Sequence, residues 1–393
     1  MTHRERMLAA VEGRVPDRLP FAPRLEFWHR ARLRGNTLPE ELRGLTLDEI
    51  SDYLGAARYA VVPDMTQHRS EHDTVDTALG LHFGASHPFE TRLDGTDRRV
   101  TRRGTEVVVE YHTPLGSIRT ATILTEEMLD AGVSVPWVTR HAIEGPEDFE
   151  VVGYLFEHLR VIPRLDCYEA RKREVGEKGL AVCSTSGSAC PIQHIMKALM
   201  PVDRFFYALH DYPEKVEKLA AQMEPFYSAI ESIAADSSAE VVMLGGNYDD
   251  AITYPPFFAK YILPALHSYA ERLHARGKYL MTHTDGENRK LLKLYREAGF
   301  DVADSVCPYP MTSCRLEEIR EAFADRITIL GGIPSVLLCR DSATEDQFRR
   351  FIDDLIARYS GQSRLILGVS DMVTADAEWS RLRYLSERTA AGR

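Results

Sequence analysis

Lys278-Tyr279-Leu280-Met281-Thr282-His283-Thr284-Asp285-Gly286 is a short apolar run that ends in polar residues and a glycine, and the pattern around it decides the fold. Upstream, Glu240–Leu244 leads into Gly245-Gly246-Asn247-Tyr248-Asp249-Asp250. Downstream, Phe300–Val306 precedes Cys307, Ile327–Leu330 precedes Gly331-Gly332, and Leu365–Leu367 precedes Ser370-Asp371. Between these runs lie stretches with apolar residues at helical spacing. Phe258, Tyr261, Ile262, Ala265 and Tyr269 follow Pro255-Pro256 and stop at Gly277. Leu291 to Tyr295 stops at Gly299, and Leu316 to Phe323 has an acidic first turn. Proline is tolerated at a helix start, glycine ends helices, and early acids suit the helix dipole. Earlier runs at Leu19–Pro23, Arg58–Val62 and Leu180–Cys183 bring the candidate strands to eight. Strands alternating with helices indicate an α/β chain, and eight of them predict a (β/α)8 TIM barrel.

One stretch breaks the rhythm between the second and third expected strands. Glu106–His112 and Ser117–Ile123 read as a hairpin around Pro114-Leu115-Gly116, with Phe89–Leu93 and Arg98–Thr101 pairing beside it. No linker frames it, so residues 80–140 are read as a β-rich cap insertion within one domain spanning residues 1–393. Helical segments are predicted at Pro146–His158 and Asp203–Ser228.

A net charge of −11 argues against a nucleic-acid partner, whose phosphates call for a basic face. The one basic cluster, Arg98-Arg99 and Arg102-Arg103, falls in the expected hairpin and reads as a solvated rim. No apolar run approaches the roughly 18 residues that span a bilayer, and the charged N-terminus lacks a signal-peptide core. No membrane association and a cytoplasmic location are therefore expected. There, the six cysteines are expected as thiols rather than disulfides.

In such barrels the reacting groups project from the C-terminal ends of strands. The residues in those places are Arg24, Glu26 and His29; Asp64; Ser184, Thr185, Ser186 and Ser188; Asn247, Tyr248, Asp249 and Asp250; His283, Asp285 and Glu287; Cys307; and Ser370 with Asp371. Asp249, Asp250 and His283 are the candidate acid–base groups. Arg24, Glu26, Asn247, Tyr248, Ser370 and Asp371 are the candidate substrate contacts. His283 and Asp285, two apart in an extended segment, point the same way. With a thiolate at Cys307 they would supply three zinc ligands and leave the open position that catalytic zinc needs. The alternative is a histidine hydrogen-bonded to a carboxylate, with Cys307 merely buried. The same spacing leaves Asp249 or Thr253 free to cap the helix after Tyr254. The 184–188 loop resembles an anion cradle only loosely, because it lacks a lysine and fixed glycine spacing.

Arg18-Leu19-Pro20, His112-Thr113-Pro114-Leu115-Gly116, Glu144-Gly145-Pro146-Glu147-Asp148, Gly245–Asp250, His283–Gly286, Gly331-Gly332 and Gly368–Asp371 together resemble the uroporphyrinogen decarboxylase superfamily. The chain is similar to its branch of corrinoid-dependent (methylcobalamin) methyltransferases more than to true uroporphyrinogen decarboxylases. The resemblance implies a barrel whose mouth accepts a tetrapyrrole. The arginine-rich loop that holds porphyrinogen carboxylates in true decarboxylases is replaced by Pro23-Arg24-Leu25-Glu26-Phe27-Trp28. The methyltransferase branch implies a zinc held by His-x-Cys and a later Cys. His283 matches the histidine, Asp285 replaces the first cysteine, and Val369-Ser370 stands where the last is expected.

Fewer thiolates leave zinc more Lewis-acidic, suited to polarising an ether or alcohol oxygen. The implied function is zinc-assisted methyl transfer, or O-demethylation, between a small methylated substrate and cobalamin. No Asp-x-His-x-x-Gly corrinoid signature occurs, so the corrinoid is expected on a separate protein or free. A homodimer is compatible with this reading. The alternatives are a metal-free decarboxylase or lyase and a non-catalytic tetrapyrrole-binding protein.

Overall fold

The computed structural model describes residues 1–64, 75–81, 87–133 and 135–391. Seven parallel strands form one curled sheet, hydrogen-bonded in chain order. They are β1 (Arg58–Val62), β2 (Gly179–Ser184), β3 (Val241–Gly246), β4 (Tyr279–His283), β5 (Val302–Val306), β6 (Thr328–Ile333) and β7 (Leu365–Val369). β2, β3, β5, β6 and β7 are buried along their whole length, as strands covered on both faces must be. Helices Leu263–His274, Leu292–Ala298, Leu316–Phe323 and Glu345–Tyr359 make the crossovers between successive strands from β3 to β7.

The expected first strand, Leu19–Pro23, is not a strand. Only Phe21 bridges Leu367 in ladder fashion. Ala22 N–H donates to Leu367 O at 2.8 Å, Leu367 N–H to Pro20 O at 2.8 Å, and Ala57 N–H to Phe21 O at 2.7 Å. The segment therefore bonds to β7 on one side and to the approach to β1 on the other. Pro20 and Pro23 lack the amides that a full ladder would use.

The N-terminal helix His3–Val11 packs across the end at which the strands begin. Met7, Ala10 and Val11 join Tyr59, Val182, Met243, Met281 and Ile366 in one apolar cluster inside the curl. Thr328 Oγ1 donates to Ala10 O at 2.9 Å and Arg364 to Val11 O at 3.0 Å, fixing the helix there. The opposite end, where the strands finish, is left for polar groups.

Between β1 and β2 the chain forms a four-stranded antiparallel sheet of Asp97–Arg103, Glu106–Thr113, Gly116–Ile123 and Trp137–Arg140. Phe89–Leu93 does not pair with Arg98–Thr101, as the Asp94-Gly95 turn suggested; it pairs antiparallel with Leu159–Pro163. The four arginines at 98–103 are exposed. Arg98 and the Tyr111 hydroxyl both reach the buried Asp76, tying this sheet to the chain that follows β1. The expected Asp203–Ser228 helix is two, Val202–Asp211 and Pro213–Asp236, divided where Pro213 opens the second. None of the six cysteines forms a disulfide.

β5 is irregular at its centre. Its pairing with β6 shifts register between Ala303 and Val306, and Ser305 takes a left-handed conformation with φ 62°. Gly331 on β6 faces this bulge with φ 133°, and a Cβ there would lie 2.7 Å from Val306 N and O. Backbone atoms cannot swing aside as a flexible side chain can. Gly331→Ala is expected to lower unfolding free energy by about 1–3 kcal/mol, read from urea unfolding. An unchanged midpoint would show that the bulge has room to relax.

Candidate active site

In the register of β4 and β5, His283 lies directly beside Asp304. Thr284 fastens the two strand ends, donating through its amide at 2.8 Å and its hydroxyl at 3.0 Å to Asp304 O. The His283 Nδ1 is 2.7 Å from Asp304 Oδ2, and Asp304 is fully buried. With Nδ1–H donating to that carboxylate, the lone pair of a neutral ring sits on Nε2. Nε2 lies 3.6 Å from Asp371 Oδ1 at the end of β7. Asp285, just past β4, completes a group in which one atom each of His283, Asp285 and Asp371 lies within 4.8 Å of the others.

Two further residues hold this group. Arg24 donates to Asp371 Oδ1 at 3.0 Å. Ser305 Oγ lies 3.2 Å from both Asp304 Oδ2 and Asp371 Oδ1. A regular strand would send the side chains of residues 304 and 305 to opposite faces. The bulge and the left-handed Ser305 put both on the site, a common use of bulges beside functional groups. Gly246, paired with His283 across β3 and β4, must be small, because a Cβ there would lie 2.8 Å from His283 Cβ.

Burial pulls the His283 pKa down, but the hydrogen bond and charge of Asp304, with the charge of Asp371, outweigh it and raise it above the ordinary value. Burial pushes Asp304 up, and His283 and Arg24 more than reverse this. Glu26, packed beside Arg24, is raised by burial, with Asp64 adding to the effect against Arg24, and its Oε2 meets no hydrogen-bond partner among the described residues. Arg24 and Glu26 line a cleft of about 600 Å³ along β1. Asp285, Asp304 and Asp371 surround His283 with Arg24 as the permanent cation among these contacts, an arrangement that favours a bound cation or a protonated imidazole.

The geometry fits a small divalent metal. Tetrahedral ligands about 2.1 Å from zinc are separated by about 3.4 Å, near the 3.6 Å between His283 Nε2 and Asp371 Oδ1. A carboxylate behind the far ring nitrogen is the usual support for a metal-bound histidine, and Asp304 supplies it. Cys307 is not in the group. Its Sγ donates to Asp285 Oδ1 at 3.2 Å and to Ser305 O at 3.2 Å. Burial, then the charge of Asp285, raises its pKa in the metal-free site.

Several expected site residues have other tasks. Tyr248 is fully buried, bonds Thr282 through its hydroxyl at 2.8 Å and packs on Phe258 and Tyr295, so it cannot meet substrate. Asp250, 4% exposed, accepts from Lys290 N–H at 2.9 Å and Nζ at 3.2 Å. Asp249 accepts from Ala251 N–H at 2.9 Å and Glu287 N–H at 3.3 Å, and Thr253 donates to its carbonyl rather than capping a helix. These two aspartates tie the loops after β3 and β4 together. Ser370 is buried and donates to Ile333 O at 2.9 Å, so it shapes the strand end rather than touching substrate. Asn247 is exposed at the mouth; its amide donates to His283 O at 2.9 Å and its side chain accepts from Lys197 at 3.4 Å.

The sequence reading passed over Asp304, Ser305 and Lys197. An aspartate inside the apolar run Val302-Ala303-Asp304-Ser305-Val306 was a visible signal for the first. Nothing in the sequence marks the conformation of Ser305. In metal-free protein, the raised His283 pKa stabilises the fold below the unfolded value near 6.5, and this is lost as pH rises through the folded value. His283→Gln is therefore expected to destabilise more at pH 5.5 than at pH 9, by about 1 kcal/mol or more, in urea unfolding with chelator present. Equal losses at both pH values would contradict an imidazolium held by Asp304.

No curated protein matches this chain. Among solved structures, a methyltransferase from Methanosarcina mazei superposes with a TM-score of 0.55 at 12% identity, over 100% of this chain and 99% of that one. At that identity the likeness establishes the fold. The uroporphyrinogen decarboxylase (URO-D) family matches residues 130–390, two thirds of the chain and all of β2 to β7. The residues that carry the His283 group beyond Arg24 lie within that match, and the chain belongs to the uroporphyrinogen decarboxylase family.

Proposed function

We infer that the protein is an enzyme of methyl transfer, working on a small methylated or methyl-accepting substrate with cobalamin supplied by a separate corrinoid protein. The observation that carries this is the His283–Asp304 pair, which aims Nε2 at Asp285 and Asp371. The ligand set for zinc is accordingly His283, Asp285 and Asp371, with Asp371 in the place first given to Cys307. Held by these residues, zinc would supply Lewis acidity toward an ether or alcohol oxygen.

The remaining work belongs to the chain. Asp304 fixes the tautomer and orientation of His283. Arg24 orients Asp371 by donating to its Oδ1. Ser305 Oγ braces both aspartates. The Cys307 thiol donates to Asp285 and holds its oxygen in place. Glu26, whose pKa burial raises, lies beside Arg24 as a candidate proton donor. The likeness in fold to a methyltransferase and the missing arginine-rich loop support this branch over porphyrinogen decarboxylation. No described helix is long and apolar enough to cross a membrane.

One observation favours a second reading. Arg24 already neutralises Asp371, and His283 is basic enough to carry a proton between Asp304 and Asp371 without any metal. That arrangement suits a metal-free lyase or decarboxylase with His283 as the acid. Metal analysis of purified protein separates the two. Methyl transfer predicts about one zinc per chain, lost in His283→Ala and in Asp371→Asn, together with a cobalamin absorbance change that chelator abolishes. Zinc retained in both variants, or activity indifferent to chelator, would contradict it and leave the lyase reading.

A further inference from the structure

A second polar feature stands at the same mouth, one strand further round. Lys197 projects from an irregular turn of helix at Ile195–Leu199 that is wound with π-type hydrogen bonds. Such turns recur at functional sites because they re-aim a side chain without ending the helix. The ammonium donates to Gly187 O at 2.6 Å, Gly246 O at 3.2 Å and Asn247 Oδ1 at 3.4 Å. These are neutral dipoles, and no carboxylate among the described residues pairs with it. The side chain is open to solvent, yet protein crowds it, and this burial pulls its pKa down to about 8. It is a cation without a counter-charge.

Lys197 lines a cavity of about 220 Å³ together with the polar Thr185, Ser186 and Ser188 and the apolar Phe89, Val138 and Phe226. The loop that lacks a lysine in sequence thus acquires one from the helix that follows. Lys197 is linked to the His283 group through the backbone: it donates to Gly246 O and Asn247 Oδ1, and Asn247 N–H donates to His283 O. Its volume falls below the roughly 300–1,000 Å³ of drug-sized ligand pockets, so it fits a small molecule. A single positive charge is matched by a monoanion, whereas phosphate dianions are better met by several cationic donors.

We propose that Lys197 and the Thr185–Ser188 loop bind the carboxylate of the substrate, so that the substrate is a small methylated carboxylic acid whose apolar body lies between Phe89, Val138 and Phe226. This rests on the methyl-transfer reading for the word methylated, and on the cavity itself for the carboxylate. The acid end is held beside the Thr185–Ser188 loop that follows β2.

The test is calorimetric binding of methoxyacetate and 3-methoxybenzoate, each against its neutral amide, to the full-length protein as purified. At least one acid is expected to bind tenfold or more tighter than its amide. Lys197→Met removes that preference, Lys197→Arg keeps part of it, and far-ultraviolet circular dichroism confirms that both variants fold. Equal affinity for acid and amide, a preference that survives in Lys197→Met, or no binding by either acid would each overturn the proposal. Cobalamin absorbance with the same acids separates the two claims. Acid preference without methyl transfer sinks only the proposed function, and transfer from neutral ethers undiminished in Lys197→Met sinks only the carboxylate site.

Discussion

The hydrogen bond between His283 Nδ1 and Asp304 Oδ2 is the constraint on which the rest of the site depends. Asp304 is fully enclosed in the curl of the sheet, where an ionised carboxylate without a partner is costly. His283 relieves that cost, and the geometry that relieves it turns the other ring nitrogen toward Asp285 and Asp371. Stability and function are therefore coupled through one contact. The left-handed Ser305, the shifted register of β5 and the small residues at Gly246 and Gly331 all serve to bring that pair into line. Local strain of this kind persists where the surrounding structure holds it, and it concentrates at sites of chemistry.

The donor set bears on what such a site does. Thiolates quiet a zinc ion; an imidazole and two carboxylates leave it a stronger Lewis acid. Arg24 on Asp371 tempers this by competing for the same oxygen. The site therefore stands between two uses of the same residues, one with a metal on Nε2 and one with a proton there. Asp371, which would help hold the metal, also adds to the rise of the histidine pKa that Asp304 chiefly causes.

Much of the fold was legible in the sequence because β-branched and leucine-rich runs recur with helical spacing between them. Every run from Arg58 onward that was read as a parallel strand is one, with its ends off by three residues at most. Leu19–Pro23 misled because its apolar character is real while its prolines deny it a ladder. The pairing of Phe89–Leu93 with Leu159–Pro163 was hidden because its partners lie far apart in sequence, and a nearby turn offered a local alternative. Within the site, the His283-x-Asp285 spacing was readable from strand geometry. Asp371 was noticed but given another role, and Cys307 was favoured for its sulfur, because sequence carries no information on which strand ends meet or on how deeply a thiol is buried. Lys197 escaped notice because it belongs to a helix, and only the folded chain brings it back to the loop at 184–188.

X-ray absorption at the zinc edge of the zinc-loaded protein tests the central claim most directly. A first shell of nitrogen and oxygen alone at about 2.0–2.2 Å, with an imidazole outer-shell signal that disappears in His283→Ala, is what this site predicts. A sulfur scatterer at about 2.3 Å, or a zinc signal unaffected by that substitution, would place the metal elsewhere and contradict it.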